Sequence, residues 1–262
     1  MSTRPGPRAD PAGAPVSPAP ARTGEAPARA GEAPAQADGD PAGPGLAGAA
    51  GPLLPRDFFA RPALAVAGDL LGCVLAHQTG AGLTAVMLTE VEAYEGAADP
   101  ASHAYRGQTA RNAVMFGEPG HAYVYFTYGM HFCVNLVCLP PGTASAVLLR
   151  AGRVIEGVPL AAGRRAAGRS SARPGRIADQ ELARGPARLC QALGIGRELD
   201  GADVCDPASP LRILTSPPGS ARGISRGPRV GISAAADRPW RFWLTGDPTV
   251  SSYRPHTPRA RK

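Results

Sequence analysis

No aromatic residue occurs between Met1 and Ala50, and Ala, Pro and Gly dominate that stretch, which contains GEAPARA at residues 24–30 followed by GEAPAQA at 31–37. Such a segment cannot bury enough apolar surface to offset its chain entropy, so residues 1–50 are expected to be a disordered tail. The folded body must be built from the remaining residues: one domain over residues 51–250, with 251–262 as a basic C-terminal tail. The chain has no continuous apolar stretch suited to a signal peptide and none long enough to span a membrane, so a soluble cytoplasmic protein is expected.

Charge divides unevenly between tail and body. Residues 1–50 hold four Arg and five Asp or Glu, a balance of −1, which leaves +8 on residues 51–262 of the overall +7. A basic body suits a polyanionic partner, and nucleic acid is the favoured class. Lys262 is the sole lysine, so nearly all the positive charge is arginine. The five cysteines, Cys73, Cys133, Cys138, Cys190 and Cys205, form no CxxC pair and no ligand spacing with the five histidines. No metal and no cofactor are expected, and the cysteines read as reduced thiols in a core.

The helical spacing of Leu64, Ala67, Leu70 and Leu71 after Pro62 predicts a first helix. Cys73–His77 and Leu83–Glu92 read as a hairpin around TGAG, the second strand being apolar enough to lie centrally in a sheet. Residues 94–110 form a loop long enough to be suspected of function. Thr109 is placed to cap a short helix over Ala110–Phe116, and Ala122–Thr127 pairs with His131–Val137 around Tyr128 and Gly129. Ser145–Arg150 is a further strand. Residues 161–176, AAGRRAAGRSSARPGR, read as a mobile loop with five arginines. Ile177–Ala183 and Pro186–Leu193 are expected as short helices, and Leu211–Leu214, Arg229–Ile232 and Arg241–Leu244 as short strands. Strands and helices do not alternate regularly, so the class is α+β, with a mainly antiparallel sheet flanked by helices.

Two features suggest chemistry. Glu90 and Glu92 reach the same face at the end of the apolar strand, a usual place for a general base, although a period of two cannot say which of them is catalytic. Further on, YVYFTYGMHF at 123–132 gathers three tyrosines in six positions of a chain that is only 5% aromatic. Tyr123 and Tyr125 share one face of a strand, Val124 and Phe126 the other, and Tyr128 falls at the turn.

TEVEAYEG at 89–96, SHAYRGQTARN at 102–112, YVYFTYGMHFCVN at 123–135, VLLRA at 147–151 and GPARLCQALGI at 185–195 occur in an order and spacing that resemble the alkyladenine (3-methyladenine) DNA glycosylase family. The similarity runs from about Leu54 to about Leu244. It implies an enzyme that excises alkylated or deaminated purines from double-stranded DNA by hydrolysing the N-glycosidic bond; the absence of lysine from the body, which leaves no amine suited to form a Schiff base with the sugar, predicts that it is monofunctional. It also implies a protruding β-hairpin that intercalates into DNA. By this resemblance Tyr94, His103 and Tyr125 form a pocket for the flipped base, where aromatic faces attract bases carrying positive charge. Asn135 stands against the purine edge and excludes the exocyclic amine of guanine. The pattern E-A-Y-x-G selects Glu92 over Glu90 as the residue that activates water, with Arg150 holding water and carboxylate and the main-chain carbonyl of Val230 completing the water site.

Tyr128 matches the residue that enters the minor groove, and Met130 and His131 extend the same hairpin toward DNA; mammalian relatives carry tyrosine where this sequence has His131. His77 and His121 match no functional position. A monomer associated with the bacterial nucleoid through DNA is expected. The competing class is a DNA-binding protein that kept the wedge and basic surface without hydrolysis, and a metal-dependent hydrolase lacks a ligand cluster.

Overall fold

The computed structural model describes residues 50–127, 129–168, 175–216 and 223–256. Among them eight strands form one sheet: β1 (Val74–Thr79), β2 (Gly82–Tyr94), β3 (Ala122–Thr127), β4 (His131–Cys138), β5 (Ser145–Glu156), β6 (Leu211–Leu214), β7 (Ile224–Gly227) and β8 (Arg241–Leu244). The strand order is β3-β4-β5-β2-β1-β6, with β8 on β2 and β7 on β8, and every pairing is antiparallel. Four helices accompany it: α1 (Arg56–Phe59), α2 (Ala63–Asp69), α3 (Val158–Ala167) and α4 (Pro186–Leu193). The architecture is the expected α+β class with an antiparallel sheet. No described helix is long and apolar enough to cross a membrane.

β2 is the spine. From Thr84 to Ala93 every residue is buried, because β5 runs along one edge while β1 and β8 share the other. The AVML run of β2 at residues 85–88 is apolar, as a strand covered on both faces requires, and the buried Thr89, Glu90 and Glu92 beyond it each have hydrogen-bond partners. α2 buries Ala63, Val66 and Ala67, and α4 buries Leu189, Cys190, Ala192 and Leu193 against β4 and β5. Gly194, with φ 71°, ends α4 in the left-handed region where glycine carries no Cβ penalty.

The β2–β5 ladder slips where the carboxylates lie. Leu88 stands opposite Gly152, Glu90 opposite Ala151 and Val91 opposite Leu149, so Thr89 and Arg150 have no partner in register. Bulges of this kind re-aim side chains. With both in place, Tyr123, Asn135, Leu148, Glu92 and Arg241 stand opposite one another in turn across β3, β4, β5, β2 and β8. Opposed residues share a face of the sheet, so one transverse row joins the aromatic strand to the acidic one.

Several expectations from the sequence need correction. Residues 161–167 belong to α3 rather than to a mobile basic loop. Its alanines favour helix, and Arg165 is drawn inward to the Leu182 carbonyl at 2.9 Å while Arg164 donates to Thr84 and the Ala192 carbonyl. Arg169 and Arg173 lie outside the described residues. Over Ile177–Ala183 only a 3-10 turn forms, at Asp179–Glu181, because the Ala183 carbonyl and Arg184 are taken by Gly152 and Ala151 of β5. Thr109 caps nothing: its N–H and hydroxyl both turn to the Asn112 side chain, and a 3-10 turn covers Ala113–Phe116.

The last small strand before β8 is β7, at Ile224–Gly227, not Arg229–Ile232. Pro228 has no N–H to give a ladder, and the Val230 N–H is committed to the Glu92 carboxylate.

Gly152 lies where β5 closes on β2, and a Cβ there would run into Val86 and the Met87 carbonyl. Gly152→Ala is expected to cost about 1–3 kcal/mol of stability and to lower Tm by at least about 3 °C; a thermal melt unchanged by the substitution would show that the two strands can part freely.

Candidate active site

The end of β2, the inner faces of β3, β4 and β5, and the loops around residues 101–115 and 230–232 enclose a cavity of about 280 Å³. Its walls bring together seven residues expected from the sequence: Glu92, Tyr94, His103, Tyr125, Asn135, Arg150 and Val230. They come from six separate stretches of chain, gathered by the transverse row and by the loop that closes over it.

The two carboxylates differ in what they can do. Glu90 is wholly buried, and its Oε1 accepts from Arg150 Nε (2.8 Å), Arg241 Nε (2.7 Å) and Ser251 Oγ (2.9 Å). Its Oε2 accepts the Ser251 N–H at 2.7 Å. Burial alone would raise this carboxyl, but Arg150, Arg241 and Ser251 together outweigh it and hold Glu90 below the ordinary carboxylate range. Glu90 does not line the cavity.

Glu92 does. Its Oε1 accepts the Val230 N–H at 2.8 Å and lies 3.1 Å from Arg150 Nη1, while Oε2 accepts the Tyr94 hydroxyl at 2.9 Å. A carboxylate offers about four lone-pair sites, so Glu92 keeps capacity for one more donor from the cavity. Arg150 is desolvated, which disfavours its charge, yet Glu92 and Glu90 on either side push its pKa upward and keep it cationic.

The aromatic walls are neutral. His103 packs edge-on against Tyr125, with ring centroids 4.6 Å apart, and a 3.0 Å hydrogen bond joins its Nδ1 to the Tyr123 hydroxyl. Burial and the nearby Arg111 both lower the His103 pKa, favouring the uncharged imidazole. Burial raises Tyr125, and burial with the Glu92 charge raises Tyr94 well above its usual value, so both hydroxyls keep their protons. Asn135 is fixed by donating from Nδ2 to the Tyr123 carbonyl at 3.1 Å.

Behind Tyr94 lies a guanidinium, Arg229, 4.5 Å from the ring centroid and buried. Asp99 engages it through both oxygens and the Ala93 carbonyl takes a further bond at 3.0 Å. Arg229 therefore braces one face of Tyr94 and leaves the other to the cavity.

On the β3–β4 hairpin, Gly129 turns the chain with φ 69°, Met130 is 67% exposed and His131 is exposed. Tyr128 lies outside the described residues. Sequence reasoning does not single out Cys133, Leu148, Arg111 or Met115, which also line the cavity, nor Arg229, Arg241 and Ser251 behind it. Cys133 could have been found by its period-two relation to Asn135. Leu148 becomes visible only once β4 and β5 are paired. The thiols of all five cysteines are free, four of them buried.

A carboxylate beside a ring-lined cavity, on a basic body, is compatible with hydrolysis on a nucleic acid, and comparison with known proteins gives the class: a DNA glycosylase, a hydrolase of N-glycosyl bonds. The family model described as methylpurine-DNA glycosylase matches residues 57–248, and the chain belongs to that family. A relative in Streptomyces avermitilis is 57% identical over 211 residues, covering 80% of this chain and 95% of its own length. One in Leifsonia xyli is 52% identical over 205 residues, covering 77% and 92%, and one in Methanocella arvoryzae 47% identical over 207, covering 78% and 98%. Each bears the provisional name 3-methyladenine DNA glycosylase.

Because the folded-state pKa of Glu90 is depressed, its contribution to stability is present above the ordinary value of 4.5 and is lost as pH falls below it. Tm is expected to hold down to about pH 5 and then drop steeply; a Tm that stayed level between about pH 5 and 3.5 would mean that the fold does not hold Glu90 below the ordinary carboxylate range.

Proposed function

We propose that this protein is a monofunctional DNA glycosylase that rotates alkylated or deaminated purines out of duplex DNA and hydrolyses their N-glycosidic bond, the first step of base excision repair. The observation that carries this reading is the inequality of the two buried carboxylates. Glu90 is saturated and shut away, whereas Glu92 opens on the aromatic cavity with one acceptor site to spare.

In this mechanism a water bound at that site is oriented by Glu92, which takes its proton as the oxygen bonds to the anomeric carbon. The C–N bond breaks with its electrons passing to the purine, so a base that enters as a cation leaves neutral, and a neutral one such as hypoxanthine leaves as its anion and takes a proton from water. The ionised carboxylate also stabilises the positive charge that develops on the sugar. Arg150 and the Val230 N–H fix the direction of Glu92, and the Val230 carbonyl completes the water site.

Tyr94, His103 and Tyr125 hold the flipped base between their rings. Since the rings and the imidazole are neutral, a cationic base meets attraction worth about 0.5–2 kcal/mol. Asn135, pinned by Tyr123, crowds the exocyclic amine of guanine and spares hypoxanthine and adenine-derived bases. Tyr128 fills the gap left in the duplex, with Met130 and His131 beside it on the hairpin. The enzyme works as a monomer on cytoplasmic DNA.

Glu92→Gln is expected to bind a duplex holding one hypoxanthine or methylated purine as the parent does, while single-turnover excision falls by about 10²–10⁴-fold. Retention of the full rate, with or without EDTA, would remove Glu92 from the chemistry. The body has no lysine, and a guanidinium cannot form a Schiff base with the sugar. Excision in the presence of borohydride should therefore leave an intact strand with an abasic site; a covalent protein–DNA adduct, or strand breakage before alkali, would establish an amine nucleophile instead.

A further inference from the structure

We infer that Glu90 and Arg241 are positioning residues that balance the charge around the general base: Glu90 shares Arg150 with Glu92 and holds Arg241, so that the two guanidiniums do not bear on Glu92 alone. The inference rests on the reading of Glu92 as that base.

Glu90, Glu92, Arg150 and Arg241 are all buried, and their formal charges sum to zero. Arg241 stands opposite Glu92 in the β2–β8 register, yet its Nε turns to Glu90 at 2.7 Å and its Nη2 to the Ser251 carbonyl at 2.7 Å. Arg150 likewise spends Nε on Glu90 at 2.8 Å and presents only Nη1 to Glu92, at 3.1 Å. Glu90 thus draws both cations toward the side away from the cavity.

Of the other charged groups around the cavity, Arg111 is an exposed cation on its wall and Arg229 behind Tyr94 is paired with Asp99; both stay the same in the variants below. Tyr94 on β2, Tyr125 on β3 and Cys133 on β4 are all pushed upward by burial and keep their protons, and His103 across the cavity is held toward neutrality. The Val230 N–H contributes only a dipole. Within the buried cluster, the charges that act on Glu92 are therefore two guanidiniums and one other carboxylate. Without Glu90, two cations would bear on Glu92 alone, which would ionise more readily and accept a proton less readily.

The test is the pH profile of single-turnover excision of hypoxanthine, a base that stays neutral over the acid limb, from saturating duplex DNA. In Glu90→Gln the acid limb is expected to move down by about one pH unit or more, with the plateau rate reduced about tenfold or more. In Arg241→Gln the limb should move up, because one cation fewer bears on the pair. The electroneutral double variant Glu90→Gln/Arg241→Gln should bring the limb back to its parental position.

Opposite shifts cancelling in the double variant support the inference. Shifts in the same direction, or reduced rates with the limb unmoved, would make the pair merely structural and overturn it. Should Glu90→Gln alone fail to fold, Arg241→Gln and the double variant carry the same sign test. Full excision by Glu92→Gln would sink the general-base reading itself; its loss, with the charge variants leaving the limb in place, would sink only the present inference.

Discussion

The contact on which the rest of this structure depends is the one between Glu90 and its two arginines, Arg150 and Arg241, at 2.8 and 2.7 Å with no exposed face. Removing two such charges from water costs several kcal/mol per ion, and the attraction between them repays that only when every remaining donor and acceptor is satisfied. The chain supplies the missing partners from afar. Ser251 reaches across 161 positions to give Glu90 both its N–H and its hydroxyl, and the Val230 N–H reaches across 138 to Glu92. The residues after β8 therefore close the site from below. An apolar cluster would hold the sheet together as well; what the ions add is a guanidinium fixed from two sides and a carboxylate whose free lone pair faces a cavity.

Around that centre the titratable side chains of the aromatic wall are kept neutral. The tyrosine hydroxyls are buried and protonated, and His103 is discouraged from charging by burial and by Arg111. The one strong cation behind the aromatic wall, Arg229, is matched by Asp99. Neutral rings and a compensated cation leave the positive charge of an alkylated base, and of the sugar as the bond breaks, as the charges that Glu92 answers in the proposed reaction.

Legibility differs from element to element. α4 and the strands Leu211–Leu214 and Arg241–Leu244 can be read from the sequence with their observed bounds, because Gly185-Pro186 and Gly194 punctuate the helix and short apolar runs between turn residues have few other uses. α3 is hidden because glycines and arginines imitate a loop; its arginines face inward only because Leu182, Ala192 and Thr84 offer them acceptors from other elements. The run Arg229–Ile232 has a strand's composition, but its arginine is claimed by Asp99 and its Val230 N–H by Glu92. Local preference yields to long-range partners in both cases.

The sequence by itself determined the kind of chain this is. A continuous apolar run marked β2 as central, alternation put Tyr123 and Tyr125 on one face of their strand, and the ordered motifs carried the resemblance to glycosylases. It also excluded lysine chemistry from the body, a matter of composition that no fold can change. Only the tertiary structure distinguished Glu90 from Glu92 physically, since both sit on one strand at a spacing of two with equal claims. The distinction comes from the bulges at Thr89 and Arg150 and from donors lying more than a hundred positions away. Hydrogen-bond saturation is a property of the assembled neighbourhood, and a strand read alone has no neighbours to saturate it.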